Sequence, residues 1–360
     1  MWTYILKRTL LFVPTLIIIT IISFGISRLA PGDPAAAKVG QGSDGGMSGR
    51  STLSAKTVEM VRKQWDLDKP LWQQYVIWTG GLLGFRLRDV FADGGTVWSK
   101  LRWEGTPDFG TSFQDNRPVF DKMLERVPVT LTMNILAIII AYSIAIPLGV
   151  NSAVRPGTVE DRLSSFVLFA LYSLPVFWVG TLAVSFLANP EYVQWFPSGG
   201  LRSPGFLDSW PVWRKLADYA SHLALPMVVY VYADFAFVSR QLRSSMLEVI
   251  RQDYVRTARA KGLDEHTVIL KHAFRNALIP LITMVATLIP NLIGGSVIIE
   301  TIFSIPGMGE LSFKALVARD YPMIMAVFTI SAVLTLVGML VADILYSVAD
   351  PRISYGKKAA

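Results

Sequence analysis

Cysteine is absent from this 360-residue sequence, and histidine occurs only three times. Without cysteine the chain has no disulfide framework, no thiol nucleophile and no cysteine metal ligand. The His-Glu-x-x-His pattern of zinc proteases and the phosphate-binding pattern Gly-x4-Gly-Lys-Ser/Thr are also missing. The sequence therefore predicts no catalytic site, no metal site and no cofactor bound by this chain.

Charged residues are scarce as well, at 17% of the chain against 52% hydrophobic residues. A soluble globular domain rarely has that composition. The apolar residues form uncharged runs close to the length of about 20 residues that a helix needs to cross a bilayer. The net charge of +7 does not require nucleic acid as a partner, because polytopic membrane proteins concentrate Lys and Arg in cytoplasmic loops. The composition thus predicts a chain embedded in membrane lipid.

Six apolar runs are predicted to be transmembrane helices, which makes the fold class an all-α polytopic membrane protein. The runs are residues 9–27, 127–154, 163–188, 223–238, 277–299 and 321–342. The first run has a competing interpretation as a cleaved signal peptide, with Lys7 and Arg8 before it and small residues at 35–37. It is longer than the roughly 7 to 15 apolar residues of a signal peptide, which favours a membrane span.

The orientation follows from the short loops. Lys7 and Arg8 precede the first run, Arg155 and Arg162 lie between the second and third, and the loop 239–276 carries eight basic residues against four acidic ones. Basic short loops stay in the cytoplasm, so both termini are predicted to be cytoplasmic. The predicted organisation is an N-terminal segment with the first span (1–27), a long external loop (28–126) and a core (127–360).

The basic loop 239–276 also has helical patterning. Its apolar residues recur at spacings of three and four up to Ala258, which predicts a cytoplasmic helix. Gly262 can take the positive φ that ends a helix, and Asp264 can cap a second one. A basic amphipathic segment could instead lie on anionic lipid. Small residues placed on both sides of a glycine favour docking on another protein.

This loop resembles the coupling loop of bacterial ATP-binding-cassette importer permeases, most closely those of the peptide and nickel branch. The resemblance is carried by Tyr254-Val-Arg-Thr-Ala-Arg-Ala-Lys-Gly262-Leu263 and by Lys271-His-Ala-Phe-Arg-Asn-Ala-Leu-Ile-Pro280. Importer permeases generally have Glu-Ala-Ala, three residues and Gly here. This chain has Arg256, Thr257 and Ala258 at the first three positions, a departure that the peptide and nickel branch shares.

Five more blocks resemble the same family in the same order. They are Leu29-Ala-Pro-Gly-Asp-Pro34, Phe109-Gly-Thr-Ser-Phe113, Ser304-Ile-Pro-Gly-Met-Gly309, Arg319-Asp-Tyr-Pro322 and Asp350-Pro-Arg-Ile353. In its length, and in Phe196-Pro-Ser-Gly-Gly-Leu201 and Ser221-His-Leu-Ala-Leu-Pro226, the chain is similar to the longer permeases that import oligopeptides or microcin C. Peptide, nickel, glutathione and microcin transporters share this scaffold, so the sequence leaves the substrate open.

The resemblance implies a type I importer permease of the bacterial inner membrane that works in a complex. Its expected partners are a second permease, two ATPase subunits that bind ATP and Mg²⁺, and an external substrate-binding protein. It also implies that Ala258, Ala260 and Gly262 pack in the ATPase groove while Tyr254, Arg256 and Arg259 make polar contacts at its rim. The predicted coupling residues are Tyr254, Arg256, Thr257, Ala258, Arg259, Ala260, Lys261, Gly262 and Leu263.

Three polar residues inside predicted spans are candidates for the translocation path: Asn134, Asp234 and Asn291. Intramembrane polar groups are costly and mark functional sites by default. The alternatives are hydrogen bonds between helices for the two asparagines, and an ion pair with Arg240 or contact with interfacial water for Asp234. A stand-alone secondary transporter or channel is the rival function, but mid-span positions here carry almost no charge.

Overall fold

In the computed structural model, the residues described are 2–29, 35–36, 51–86, 102–103, 105–278, 280–281, 284, 288, 292 and 294–349. Helices dominate them, and two-residue strands β1 (Phe85–Arg86) and β2 (Arg102–Trp103) pair antiparallel, with Phe85 opposite Trp103. The first helices are α1 (Trp2–Leu29), α2 (Ser51–Gln64), α3 (Leu71–Leu82), α4 (Val119–Val154), α5 (Val159–Ser173) and α6 (Val176–Leu187). The later ones are α7 (Val212–Ile250), α8 (Asp253–Ala260), α9 (Glu265–Thr267, π-helical Val268–Phe274 and Arg275–Ala277), α10 (Val297–Ile302), α11 (Met308–Val317) and α12 (Tyr321–Ala349).

Four of the described helices are long and apolar enough to cross a membrane, within α1, α4, α7 and α12. The pair α5 and α6 passes the same test if it is counted as one span. A multi-pass membrane protein is therefore confirmed. The predicted fifth run, 277–299, lies partly outside the described residues, so the number six and the cytoplasmic termini stay predictions.

The third predicted span is broken. α5 and α6 are bent by 88° at Leu174 and Pro175. Proline lacks an N–H and disfavours helical ψ in the residue before it, and Leu174 accordingly has an extended ψ of 127°. The apolar run 163–188 therefore contains two helices, because Pro175 ends the first of them.

α7 is much longer than the predicted fourth span, 223–238. It begins at Val212 and runs to Ile250 through Pro226, so its last turns belong to the loop that was predicted to start at residue 239. The basic residues Arg240 and Arg243 therefore lie on a continuous helix rather than in a turn. This helix connects the membrane region rigidly to the segment that follows it.

The chain divides into two compact units. The first comprises Met1–Leu6, Arg126–Glu310 and Leu334–Ala360, and it contains two apolar clusters. One is formed by α4, α7 and the region of α10, with Met133, Val229 and Phe303 buried. The other joins the C-terminal turns of α4 and α7 to α8 and α9. Both clusters pack against the same two long helices, so these helices form the frame of the unit.

The second unit comprises Lys7–Glu125 and Leu311–Val333. Its centre is aromatic: the rings of Trp65 and Phe113 stack at 3.8 Å, and the ring of Tyr321 meets that of Phe113 edge-on. Ser112 donates a 2.5 Å hydrogen bond to the carboxylate of Asp320. The segment 28–126, which is predicted to be external, thus contains the helices α2 and α3.

Candidate functional site: the cytoplasmic loop and the membrane cavity

The segment that follows α7, which is predicted to be cytoplasmic, consists of two short helices joined by a glycine turn. α8 ends at Ala260, and the Gly262 N–H donates a 2.9 Å hydrogen bond to the Arg259 carbonyl. Gly262 has a φ of +77°, a conformation that disfavours residues with a Cβ. The Asp264 carboxylate accepts from the Thr267 N–H at 3.3 Å and caps α9. The predicted glycine turn and cap are both confirmed.

The inner face of the two helices packs against the chain's own long helices. Val255, Ala258, Val268 and Ala273 are buried, and they share a cluster with residues of α4 and α7, including Leu242 of α7. The π-helical stretch of α9 places Val268 and Ala273 on that side. The cluster therefore packs α8 and α9 against α4 and α7, two helices that are long and apolar enough to cross a membrane.

The outer face carries most of the predicted coupling residues. They are exposed, as a partner contact requires: Tyr254, Arg256, Thr257, Arg259, Ala260, Lys261, Gly262 and Leu263. Ala258 is the exception, since it is only 6% exposed and lies in the inner cluster. Its burial leaves little of its methyl group available to a partner, and its contact with the ATPase groove stays a prediction. The apolar spacing that grouped Ala258 with the preceding helix was the correct signal.

Arg259 is held by an ion pair within the loop. Its guanidinium contacts both carboxylate oxygens of Glu265, at 2.7 Å for the shortest contact. The hydrogen bond from Arg259 lowers the pKa of Glu265, so the pair persists at pH values below the usual titration range of a glutamate. Arg259 therefore braces the Gly262 turn, whereas Arg256 and Lys261 are exposed, with Arg256 3.8 Å from Asp253.

Tyr254 also has an internal partner. Its hydroxyl accepts a 2.8 Å hydrogen bond from the side chain of Asn276, which in turn donates to the His272 carbonyl. The side chain is nevertheless 43% exposed, so the ring is available at the surface while the hydroxyl fixes its direction. The start of α8 and the end of α9 are thereby linked.

A buried ion pair, which sequence reasoning missed, anchors the neighbouring loop to α7. The Asp161 carboxylate is 4% exposed and accepts hydrogen bonds from Arg243 Nε at 2.7 Å and Arg243 Nη2 at 2.8 Å. It also accepts from the Gly157 N–H at 2.8 Å and from the Ser152 hydroxyl. The positions of Asp161 and Arg243 are 82 residues apart, and no local pattern connects them.

A second buried acid organises the segment after the fifth predicted span. Glu300 of α10 is 1% exposed; it accepts hydrogen bonds from the Thr130 hydroxyl and the Glu310 N–H, both at 3.0 Å. The Met308 N–H donates to the same hydroxyl at 2.8 Å. A Cβ at Gly309 would lie 2.6 Å from the Val297 nitrogen, so the block Ser304–Gly309 needs glycine there to close over Glu300.

A cavity of about 340 Å³ lies in the first unit between α4, α7 and the segment around α10. Asn134 and Asp234, two of the three predicted path residues, both line it, together with Tyr230. The Tyr230 hydroxyl donates a 2.5 Å hydrogen bond to Asn134 Oδ1, and Asn134 Nδ2 donates to the Thr130 carbonyl. Asn134 therefore joins α4 to α7, which is the interhelical role that was its alternative interpretation.

Asp234 does not form the ion pair with Arg240 that its alternative interpretation invoked. The Arg240 guanidinium lies over the rings of Phe169 and Tyr172, at 5.7 and 5.8 Å from their centroids. Within the part of the chain that the structure describes, Asp234 has no ion pair and no hydrogen bond from a side chain. Asn291, the third predicted path residue, lies outside the described residues.

Comparisons with known proteins assign similarity along nearly the whole chain. Residues 145–355 match the model of the binding-protein-dependent transport system inner membrane component, and residues 1–134 match the N-terminal model of the membrane components of such systems. The chain is 39% identical over 356 residues to the oligopeptide transport system permease protein AppB of Bacillus subtilis (strain 168), covering 99% of this chain and 100% of that protein.

Two further relatives are 32% identical and are also covered at 99% of this chain and 100% of their own length. One is the dipeptide transport system permease protein DppB of Escherichia coli (strain K12), aligned over 375 residues. The other is the peptidoglycan transport system permease protein YejB of Agrobacterium fabrum, aligned over 385 residues. All three relatives are similar to this chain from end to end.

Proposed function

Because this chain belongs to the family of inner-membrane components of binding-protein-dependent transport systems, we propose that it carries peptides across the membrane in a complex driven by partner ATPases. The chain is a multi-pass permease subunit of an ATP-binding-cassette importer in the bacterial inner membrane, not an enzyme in its own right. The end-to-end similarity to an oligopeptide permease and a dipeptide permease is the observation that carries the proposed substrate class.

The proposed complex has four kinds of subunit. A second permease completes the path, two ATPase subunits bind ATP and Mg²⁺ in the cytoplasm, and an external binding protein delivers the peptide. The sequence of this chain has no phosphate-binding loop of its own, so ATP is bound by the partner subunits and this chain supplies the membrane part. In this arrangement ATP hydrolysis is a property of the partners and transport is a property of the assembly.

In the proposed coupling step, the ATPases bind the outer face of α8. The small exposed residues Ala260 and Gly262 allow close approach, and Arg256 and Lys261 add charge around them. The inner cluster then passes the displacement to α4 and α7, since a packed helix moves as a unit. Closure of the ATPases would thus open the cavity toward the outside.

The proposed translocation path uses the cavity between α4 and α7. Its support is the convergence of Asn134, Tyr230 and Asp234 on one space in the membrane region, although these residues come from two distant parts of the chain. Polar groups that line such a cavity are typical of substrate paths through membrane proteins. The second permease is expected to close the open side of this cavity.

The proposed function is tested by reconstitution into liposomes with the binding protein. We expect uptake of a labelled peptide only when the chain is present with its second permease and both ATPases, and only with ATP inside the compartment that holds the ATPases. Peptide uptake by this chain alone, driven by an ion gradient without ATP, would instead establish the rival function of a secondary transporter.

Substitutions of two alanines in α8 test docking of the ATPases separately from folding of the chain. Ala258→Leu adds volume inside a packed cluster, and we expect it to lower the free energy of unfolding by about 1–3 kcal/mol. Ala260→Leu adds the same volume at an exposed site, and its effect on the stability of the isolated chain should stay within about 0.5 kcal/mol. Thermal unfolding in detergent and co-purification with the ATPases measure the two effects.

In co-purification with the ATPases we expect Ala260→Leu to have the larger effect of the two variants, because its side chain faces the partner. It should weaken retention of the ATPases during purification more than its effect on thermal unfolding explains. Normal ATPase retention by Ala260→Leu would contradict the assignment of this face as the docking surface.

A further inference from the structure

The cavity between α4 and α7 contains one ionisable group whose charge is not compensated. Among the described residues that line it, Asp234 is the only charged one. Its side chain is exposed to the space, and within the described part of the chain it has no ion pair. A carboxylate inside a membrane protein is costly unless it is hydrated or meets a cation. Asp234 therefore favours a cation in this cavity.

The other polar groups of the cavity already have partners inside the protein. The Tyr230 hydroxyl and the Asn134 carboxamide bond to each other at 2.5 Å, and Asn134 Nδ2 donates to the carbonyls of Thr130 and Leu292 at 3.0 and 3.2 Å. Tyr230 and Asp234 are four residues apart on α7, so they lie on the same face one helical turn from each other. The fixed Tyr230–Asn134 pair thus leaves the Asp234 carboxylate as the group that meets an incoming molecule.

The remaining walls of the cavity are largely apolar and include Ala137, Ile138 and Ile299. A volume of about 340 Å³ is near the lower end of the range of small-molecule sites, which is roughly 300–1,000 Å³. Such a space holds one end of a peptide together with a neighbouring side chain. A single carboxylate with apolar walls is complementary to a primary ammonium beside apolar atoms.

We propose that Asp234 binds the free α-ammonium group of the transported peptide in this cavity and so selects substrates with an unmodified amino terminus. The inference deepens the proposed function and rests on it for the identity of the substrate. The residue acts by direct contact with the substrate, and the selection occurs in the permease itself, in addition to any selection by the external binding protein.

The direct test measures peptide binding to the assembled complex in nanodiscs without the binding protein. The probes are one tripeptide with a fluorophore at its carboxyl end, either with a free amino terminus or acetylated. We expect the wild type to bind the free form about tenfold more tightly than the acetylated form. This is the gain in affinity that one charge-assisted hydrogen bond supplies. Asp234→Asn should abolish this preference and Asp234→Glu should keep most of it.

The matched control is Asp208→Asn, which removes an exposed acid in the segment before α7. It should retain the tenfold preference. Equal binding of the two peptides by the wild type, or an unchanged preference in Asp234→Asn, would overturn the inference and leave the proposed function intact. Failure of the wild type to bind either peptide would also overturn the inference, whereas the proposed peptide substrate is tested separately by ATP-dependent uptake with the binding protein.

A second measurement needs no peptide. The chain has no cysteine, so Ile138→Cys places a single thiol of this subunit in the cavity wall. We expect a trimethylammonium methanethiosulfonate to modify it about fivefold faster than its sulfonate analogue, because the nearby carboxylate concentrates cations. Adding Asp234→Asn should remove that difference; a preference that survives would contradict the role of Asp234.

Discussion

Substrate-stimulated ATP hydrolysis by the assembled complex is expected to fall at least about tenfold in Gly262→Asp. A Cβ at Gly262 would meet no atom of this chain within 4 Å, so the new carboxylate projects away from the protein and into the partner's contact. The φ of +77° costs an aspartate roughly 1 kcal/mol, which is small because Asp tolerates the left-handed region. The loss should therefore come from docking and not from unfolding.

The structure offers a matched control for the backbone strain of this variant. Gly157 also has a φ of +77° and no atom within 4 Å of a Cβ, and it lies in the exposed loop between α4 and α5. Gly157→Asn introduces the same backbone strain as Gly262→Asp and a side chain of the same size. It does not place a second carboxylate beside Asp161. We expect it to retain coupling, whereas Gly262→Asn should lose part of it. Full stimulation in Gly262→Asp would refute the coupling role.

Arg243→Met is expected to lower the stability of the chain strongly, because it breaks the buried ion pair with Asp161. It leaves the Asp161 carboxylate buried at 4% exposure without its guanidinium partner. Breaking a buried ion pair in this way costs about 3–5 kcal/mol. In a chain of this size we expect the apparent Tm in detergent to fall by roughly 5–10 °C, measured by size-exclusion chromatography after heating.

Arg155→Met serves as the control, because it removes an ion pair with Glu160 at 3.8 Å whose side chains are 65% and 69% exposed. Pairs of that kind contribute roughly 0–1 kcal/mol. The double variant Asp161→Asn, Arg243→Met should recover part of the lost stability, since no buried charge remains without a partner. An effect of Arg243→Met as small as that of Arg155→Met would contradict the anchoring role of the pair.

The coupling loop shows which parts of a site can be predicted from residues alone. The turn at Gly262 and the cap at Asp264 depend on φ and on a hydrogen bond within four residues, so the sequence was sufficient to predict both. The exposure of Ala260 and the burial of Ala258 depend on which face of α8 meets α7. The family resemblance assigned both alanines to a partner's groove, and only the tertiary packing separated them.

In the membrane region, too, some features can be predicted from the sequence and others depend on tertiary packing. Its apolar runs can be predicted from the sequence, because the composition of each segment favours its transfer into lipid independently of the neighbouring segments. The break at Pro175 also has a local cause, but a proline by itself does not decide whether a helix breaks. Pro147 and Pro226 stay inside α4 and α7.

The sequence by itself determined the membrane class, the family and the position of the coupling turn, because each rests on composition, block order or short-range backbone chemistry. Tertiary structure alone decided the pairing of Asp161 with Arg243, the hydrogen bond between Asn134 and Tyr230, and the place of Asp234 in the cavity wall. The two hydrogen-bonded pairs join residues 82 and 96 positions apart. Their energies depend on the distance and burial that helix packing imposes, which no short window of sequence encodes.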